Sequence, residues 1–214
     1  MLILNIEAFI LAITILTLTP GLDTAMVIRN TSRGGLTDGV VTSFGICSGL
    51  YVHALFSAIG ISAVLAQSAE LFQAVKLVGA GYLIWLGINS LLAMKNSHSS
   101  LGVNNVTVSE VNSLRSLREG FLSNVLNPKT AVFYLAFLPQ FIDPQGSALI
   151  QSLFMATIHF VIAMLWQCGL SSVLSRAKSL LTNERFLKWM EGTTGAVLVF
   201  LGIKLLLEKS VVEP

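Results

Sequence analysis

"ILTLTPGLDTAMV", Ile15–Val27, decides the fold. The stretch is apolar enough to cross a bilayer, yet Thr19-Pro20-Gly21 stands in its middle and Asp23 follows three residues after the proline. Proline inside a helix removes a hydrogen bond and clashes with the preceding turn, at a cost of about 3 kcal/mol or more. In lipid each unpaired backbone group adds to that cost. "SNVLNPKTAVFY", Ser123–Tyr134, repeats the pattern with Asn127-Pro128-Lys129. One such break reads equally well as a packed kink. Two breaks, each with a polar residue directly before the proline, read as an N-cap followed by the first residue of a fresh half-helix. A helix N-terminus carries free N–H donors and partial positive charge, so buried at mid-membrane it favours an anion.

Composition agrees with a membrane setting. Of 214 residues, 54% are hydrophobic and only 11% charged, against about 25% charged in soluble domains, and mean hydropathy is +0.77. A net charge of +2, with three Tyr and three Trp, gives no nucleic-acid surface. Cys47 and Cys168 lie in apolar runs and no CxxC exists, so neither a disulfide framework nor a zinc site is indicated. Glu7 is the only early charge and no small-x-small cleavage pattern follows, so Ile6 onward reads as a retained span.

A span needs about 20 mostly apolar residues. Six candidates occur, at about 6–28, 40–67, 72–94, 119–141, 147–174 and 190–208. Val40–Ala69 and Pro144–Ser175 contain no Asp, Glu, Lys or Arg; Lys204 sits in the sixth, near an end from which it can snorkel. The first, third and fifth connections hold Arg29 and Arg33; Lys95, Arg115 and Arg118; and Arg176, Lys178, Arg185 and Lys188. The second and fourth hold none. By the positive-inside rule both termini face away from the cytoplasm. The polar segment 96–113 reads as a cytoplasmic linker with a solvated His98, and the sequons at Asn30 and Asn105 on the same side as chance matches.

The two halves overlay. Pro20 precedes His53 by about as many residues as Pro128 precedes His159, and "YLIWLGINSLL" from Tyr82 matches "VLVFLGIKLLL" from Val197. Three spans per half invert the second copy relative to the first, a signature of secondary transporters with midplane sites in discontinuous helices. The expected fold is therefore an all-α integral membrane protein. It has six transmembrane helices as two inverted three-helix repeats, with helices 1 and 4 interrupted at Pro20 and Pro128. The chain 1–214 is one membrane domain: repeat 1 at about 6–94, the linker at about 95–118 and repeat 2 at about 119–208.

Intramembrane charges mark pathways. Asp23 and Lys129 follow the equivalent prolines and are expected at similar depth, facing one cavity, paired or bridged by substrate. Lys129 beside a helix N-terminus is unfavourable unless an anion joins it. The bland reading is a salt bridge that locks spans one and four, or separate snorkelling. His53 and His159 are proton-coupling candidates because histidine titrates near physiological pH; as interhelical hydrogen bonders they need no such role. Gly45, Gly49, Gly79 and Gly87 allow close helix approach and dimerisation.

"LTPG" at Leu18–Gly21, "KLVGAGYLIWLGI" at Lys76–Ile88 and "NVLNPKTAVFYLAFLPQFI" at Asn124–Ile142 resemble the lysine-exporter (LysE/RhtB) family, particularly its threonine and homoserine efflux branch, over essentially the whole chain. The resemblance implies a bacterial inner-membrane transporter, not an enzyme, that exports amino acids or close derivatives on the proton gradient. The family's Pro-Gly falls on Pro20 and Gly21, and its Asn-Pro-Lys on Asn127, Pro128 and Lys129. Where the family often continues Pro-Gly-Pro, Leu22 and Asp23 follow here, so the shape and charge of the cavity differ. The expected site is Thr19, Pro20, Gly21, Asp23, Asn127, Pro128 and Lys129 around a small zwitterion, with Asp23, His53 and His159 as proton carriers and no cofactor or metal. The alternatives are a heavy-metal cation exporter, against which the two separated cysteines speak, and a thiol–disulfide oxidoreductase using Cys47 and Cys168.

Overall fold

A computed structural model describes residues 5–67, 69–95, 112–176 and 184–207. His98, Asn105, Lys178 and Lys209, and most of the expected linker, lie outside the described residues. Within them the chain is helical, with no β-strand. The helices are α1 (Ile6–Leu18), α2 (Leu22–Gln67), α3 (Ala69–Lys95), α4 (Ser113–Val125), α5 (Pro128–Val132), α6 (Ala148–Arg176) and α7 (Glu184–Leu207). After α5 the chain widens into a π turn at Phe133–Phe137 and tightens into a 3-10 turn at Leu138–Phe141.

One face of α6 buries many small and polar side chains beside Met155, Leu170 and Leu174, and its outer face is apolar. Its buried side chains include Gln151, Ser152, Ala156, His159, Ala163, Gln167 and Ser171 at helical spacing, while Ile150, Phe154 and Val173 face outward and Leu165 is 72% exposed. Small and polar side chains inside with large apolar ones outside suit lipid, where close packing and hydrogen bonds replace the hydrophobic drive between helices. At 1.5 Å per residue, the 29 residues of α6 exceed the roughly 30 Å of a hydrocarbon core. By length and composition, Leu22–Gly60 and Ala148–Arg176 are long and apolar enough to cross a membrane, and Ile6–Leu18, Leu77–Leu92 and Gly195–Leu207 are shorter apolar helices.

The segments expected as spans one and four are both broken, at residues 19–21 and 126–127. Beyond the first break, α2 runs through what composition divides into the end of span one and all of span two. It turns sharply at Gly34 and at Gly35, whose φ of 73° and ψ of −161° suit glycine. The segment after α5 departs from a regular α-helix a second time, because Pro139 lacks the N–H that an upstream carbonyl needs. The Tyr134 carbonyl there accepts a 2.6 Å hydrogen bond from Ser57 Oγ.

Three crossings carry the helix packing, α2 with α6, α2 with α4 and α3 with α7. Gly39 of α2 lies against Ser171 of α6. Gly45 of α2 lies against the Leu117 carbonyl and Phe121 of α4, and Gly120 of α4 against the Thr42 carbonyl and Ile46 of α2, with no room for a Cβ at either. Likewise α3 crosses α7: Gly87 meets Gly195 and Val199, while Gly202 meets Ala80 and Ile84. Between these pairs an aromatic core of Phe9, Phe133, Tyr134, Phe137 and Phe141 closes the bundle.

Candidate functional site

The two broken ends meet. In the second half Asn127 is the N-cap of α5, its Oδ1 accepting from Lys129 N–H at 3.0 Å, with Pro128 at the first helical position. The first half differs from the N-cap expectation. Thr19 turns backward as the C-cap of α1: its N–H and hydroxyl both donate to the Ile15 carbonyl, the hydroxyl at 2.7 Å. The helix restarts only at Leu22, with the Gly21 carbonyl accepting from Ala25 N–H. Pro20 therefore lies in the gap and is not the first helical residue. A threonine inside an apolar helix readily bonds the carbonyl four residues back, and here that local bond wins over capping.

Lys129 also differs from expectation. Its ammonium does not wait beside a helix N-terminus for an anion; it reaches across the gap to the C-terminal carbonyls of α1, donating to Thr19 at 3.0 Å and Leu16 at 3.4 Å. That is the negative end of a helix dipole, where a cation is stabilised. Asp23 does the converse. From the first turn of α2 its carboxylate accepts from Asn124 Nδ2 at 2.8 Å, Asn127 Nδ2 at 3.1 Å and Ser123 Oγ at 3.1 Å, at the broken end of α4. His53 adds a bond at the same end, its Nε2 donating to the Asn124 carbonyl at 2.9 Å. Among the described residues the ion pairs are Arg33–Asp38, Arg33–Glu119 and Arg115–Glu119, so Asp23 and Lys129 do not pair directly.

Both nevertheless line one cavity. Leu16, Thr17, Thr19 and Gly21 enter it from the first break, Asp23 and Thr24 from the start of α2, and Ile46 and Leu50 from further along α2. Asn124, Lys129 and Thr130 enter from the second break, and His159, Ala163 and Gln167 from α6. The cavity is small, about 30 Å³ of enclosed space, with an open mouth that brings the total to about 400 Å³. Of the site residues expected from sequence, Thr19, Gly21, Asp23, Lys129 and His159 line it; Asn127 supports it from behind, through its bonds to Asp23 and Lys129. Pro20, Pro128 and His53 are not in the lining. Tyr134 links the two histidines: its hydroxyl shares a 3.1 Å hydrogen bond with His159 Nδ1, and its ring lies 5.9 Å from His159 and 5.8 Å from His53.

A second polar cluster sits by the Gly34–Gly35 turn. The Arg33 guanidinium forks onto Asp38 at 2.9 and 3.2 Å and onto Glu119 at 3.0 and 3.3 Å. Ser116 Oγ accepts from Arg33 and donates to Asp38, and Asn30 Nδ2 reaches Thr42 and Glu119. Arg33 and Asp38 are buried. This cluster ties the first helical hairpin to α4. Asn30, Asp38, Ser116 and Glu119 are absent from the sequence candidates; the available signal is a pair of opposite charges flanking a Gly-Gly turn.

The comparisons with known proteins fit a structure built around helix breaks. A family described as LysE type translocator matches residues 14–209. The chain belongs to the LysE family. It is thus a membrane protein of a translocator family, and not an enzyme at the level of that family. Among its relatives, the uncharacterized membrane protein YrhP of Bacillus subtilis is 34% identical over 94% of this chain and 97% of the relative. The homoserine/homoserine lactone efflux protein of Salmonella typhimurium is 27% identical over 91% and 92%. The leucine efflux protein of an Enterobacter species is 28% identical over 66% and 65%. No solved structure matches the chain. Cys47 and Cys168 are free thiols, and among the described residues no three His, Cys, Asp or Glu gather as a metal site. Neither alternative function gains support.

Proposed function

We propose that this LysE-family protein exports an amino acid or a close derivative from the cytoplasm, in exchange for protons. One observation carries the reading. A carboxylate, an ammonium and the start of a helix border a single small cavity between two broken helices. That set complements a zwitterion: Lys129 and the first N–H groups of α2 face the substrate carboxylate, and Asp23 faces its ammonium. Because Asp23 and Lys129 already hold protein partners, substrate joins a preorganised site and need not create one. Relatives named for efflux of homoserine and of leucine support the direction and the substrate class.

We read the chain as six spans in two inverted repeats, with both termini on the non-cytoplasmic side of the bacterial inner membrane. The α3–α7 crossing supports the repeat: Ala80, Ile84 and Gly87 correspond to Gly195, Val199 and Gly202 at one constant offset, and their contacts are reciprocal. Asp23, in the cavity, and His159, bonded to Tyr134, are the proton carriers of this scheme. The test is efflux from loaded cells, and resistance to excess amino acid, in Asp23→Asn and Lys129→Met variants that reach the membrane. Loss of export in both is expected; export at the wild-type rate in both removes these roles.

A further inference from the structure

The cavity holds polar groups with opposite standing. Asp23 and Lys129 are already hydrogen-bonded to the protein. Gln167 is not: it lines the cavity, is only 6% exposed, and its amide oxygen is buried without a hydrogen-bond partner. His159, Ala163 and Gln167 stand four residues apart on α6 and form one stripe along the cavity wall. The small Ala163 leaves space between the two polar groups. From α1, Thr17 lines the same cavity, and its hydroxyl is also buried and unpartnered, whereas the neighbouring Thr19 satisfies its own on the Ile15 carbonyl. The unpartnered Asn124 oxygen differs in kind, because it lies against Gly49. The remaining unpartnered atoms, on Asn30, Ser152 and Trp166, belong to residues outside the cavity lining.

We propose that Gln167, assisted by Thr17, is the specificity-determining residue that reads the side chain of the exported amino acid, and that it selects side chains carrying a hydrogen-bond donor. This rests on the export reading above. A hydroxyl or amide on the substrate satisfies the Gln167 oxygen, while an aliphatic side chain of equal size leaves it buried and unpaired, and that asymmetry is what discriminates. Charged partners hold the common zwitterion; an uncharged partner distinguishes one amino acid from another.

The experiment compares efflux of two isosteric pairs, homoserine against norvaline and threonine against valine, from cells producing the wild type, Gln167→Leu or Thr17→Val. Wild type is expected to favour the hydroxylated member by about tenfold or more, the effect of one well-made hydrogen bond. In Gln167→Leu that ratio falls toward one with aliphatic export retained, and in Thr17→Val it falls less. Purified Gln167→Leu should also melt no lower than wild type, because leucine removes an unpaired polar atom. An unchanged ratio in both variants, a wild-type preference for the aliphatic members, or a lowered melting temperature with an unchanged ratio overturns the assignment. Failure of the wild type to export any of the four compounds overturns the export reading itself, which is a separate result.

Discussion

Asp23 and Lys129 border the same cavity without forming an ion pair, and each is held by the broken helix of the opposite half: Asp23 at the end of α4, Lys129 at the end of α1. The arrangement separates two models. A salt bridge that merely locks two spans tolerates exchange of its charges. Here exchange places a lysine among the donors of Asn124 and Asn127 and an aspartate against the carbonyls of Leu16 and Thr19. The combined variant Asp23→Lys with Lys129→Asp is therefore expected to be inactive and poorly folded, no better than either single change. Recovery of membrane abundance in the exchanged protein would falsify the crossed arrangement.

Removing the Lys129 ammonium alone leaves two α1 carbonyls without their donor. Hydrogen bonds to charged groups are worth about 1.5–3 kcal/mol, so Lys129→Met is expected to lose stability of that order. Thr19→Val is expected to lose about 1 kcal/mol or less, because the Thr19 backbone N–H still reaches Ile15. Thermal unfolding of the purified protein in detergent measures both; equal melting of Lys129→Met and wild type contradicts the contacts described.

The Arg33 cluster predicts an order of damage. Taking one partner from a buried ion network strands the others, at about 3–5 kcal/mol. Arg33→Met strands the buried Asp38 and leaves Glu119 only Arg115 and Asn30, whereas Asp38→Asn leaves Arg33 its pair with Glu119. Membrane abundance should therefore fall further in Arg33→Met than in Asp38→Asn, and the double variant should recover part of the loss. The reverse order would mean that Arg33 is held chiefly by solvent.

Much of this was legible in sequence, for specific reasons. Asn127-Pro128 forms its cap as written, because asparagine and proline both favour a helix start and compete with nothing nearby. Thr19-Pro20 does not, because a threonine hydroxyl can turn either way and the Ile15 carbonyl lies within reach. The Gly45 and Gly87 spacing indicated close helix approach but not the partners Gly120 and Gly195, since spacing on one helix carries no address. Asp38 and Glu119 were not among the sequence candidates, because only the turn at Gly34–Gly35 and the placement of α4 bring them onto Arg33. Gln167 stands two turns beyond His159 on one helix face, which spacing alone gives, whereas burial without a partner is a property of the folded chain alone.

The α3–α7 crossing gives a test of the repeat. Gly87 and Gly202 each face the opposite helix at equivalent positions. Inserting a side chain into such a contact costs about 1–3 kcal/mol. Gly87→Val and Gly202→Val should lose similar amounts of membrane protein, and Gly81→Val, at a glycine with open space around it, should lose little. A large difference between the first two would argue against equivalence.

The two histidines are expected to separate. His53 spends its Nε2–H on the Asn124 carbonyl, where a glutamine amide can also donate, so His53→Gln should keep most export and His53→Leu should not. His159 lines the cavity and shares a hydrogen bond with the Tyr134 hydroxyl, a link that glutamine cannot reproduce as a proton carrier. In vesicles with an imposed pH gradient, His159→Gln and Tyr134→Phe should each flatten the dependence of export on that gradient while leaving substrate exchange at equal pH largely intact. His53→Gln should keep the full dependence. If His53→Gln flattened the gradient response and His159→Gln did not, the proton path would run behind α4, away from the cavity, and His159 would be a packing residue.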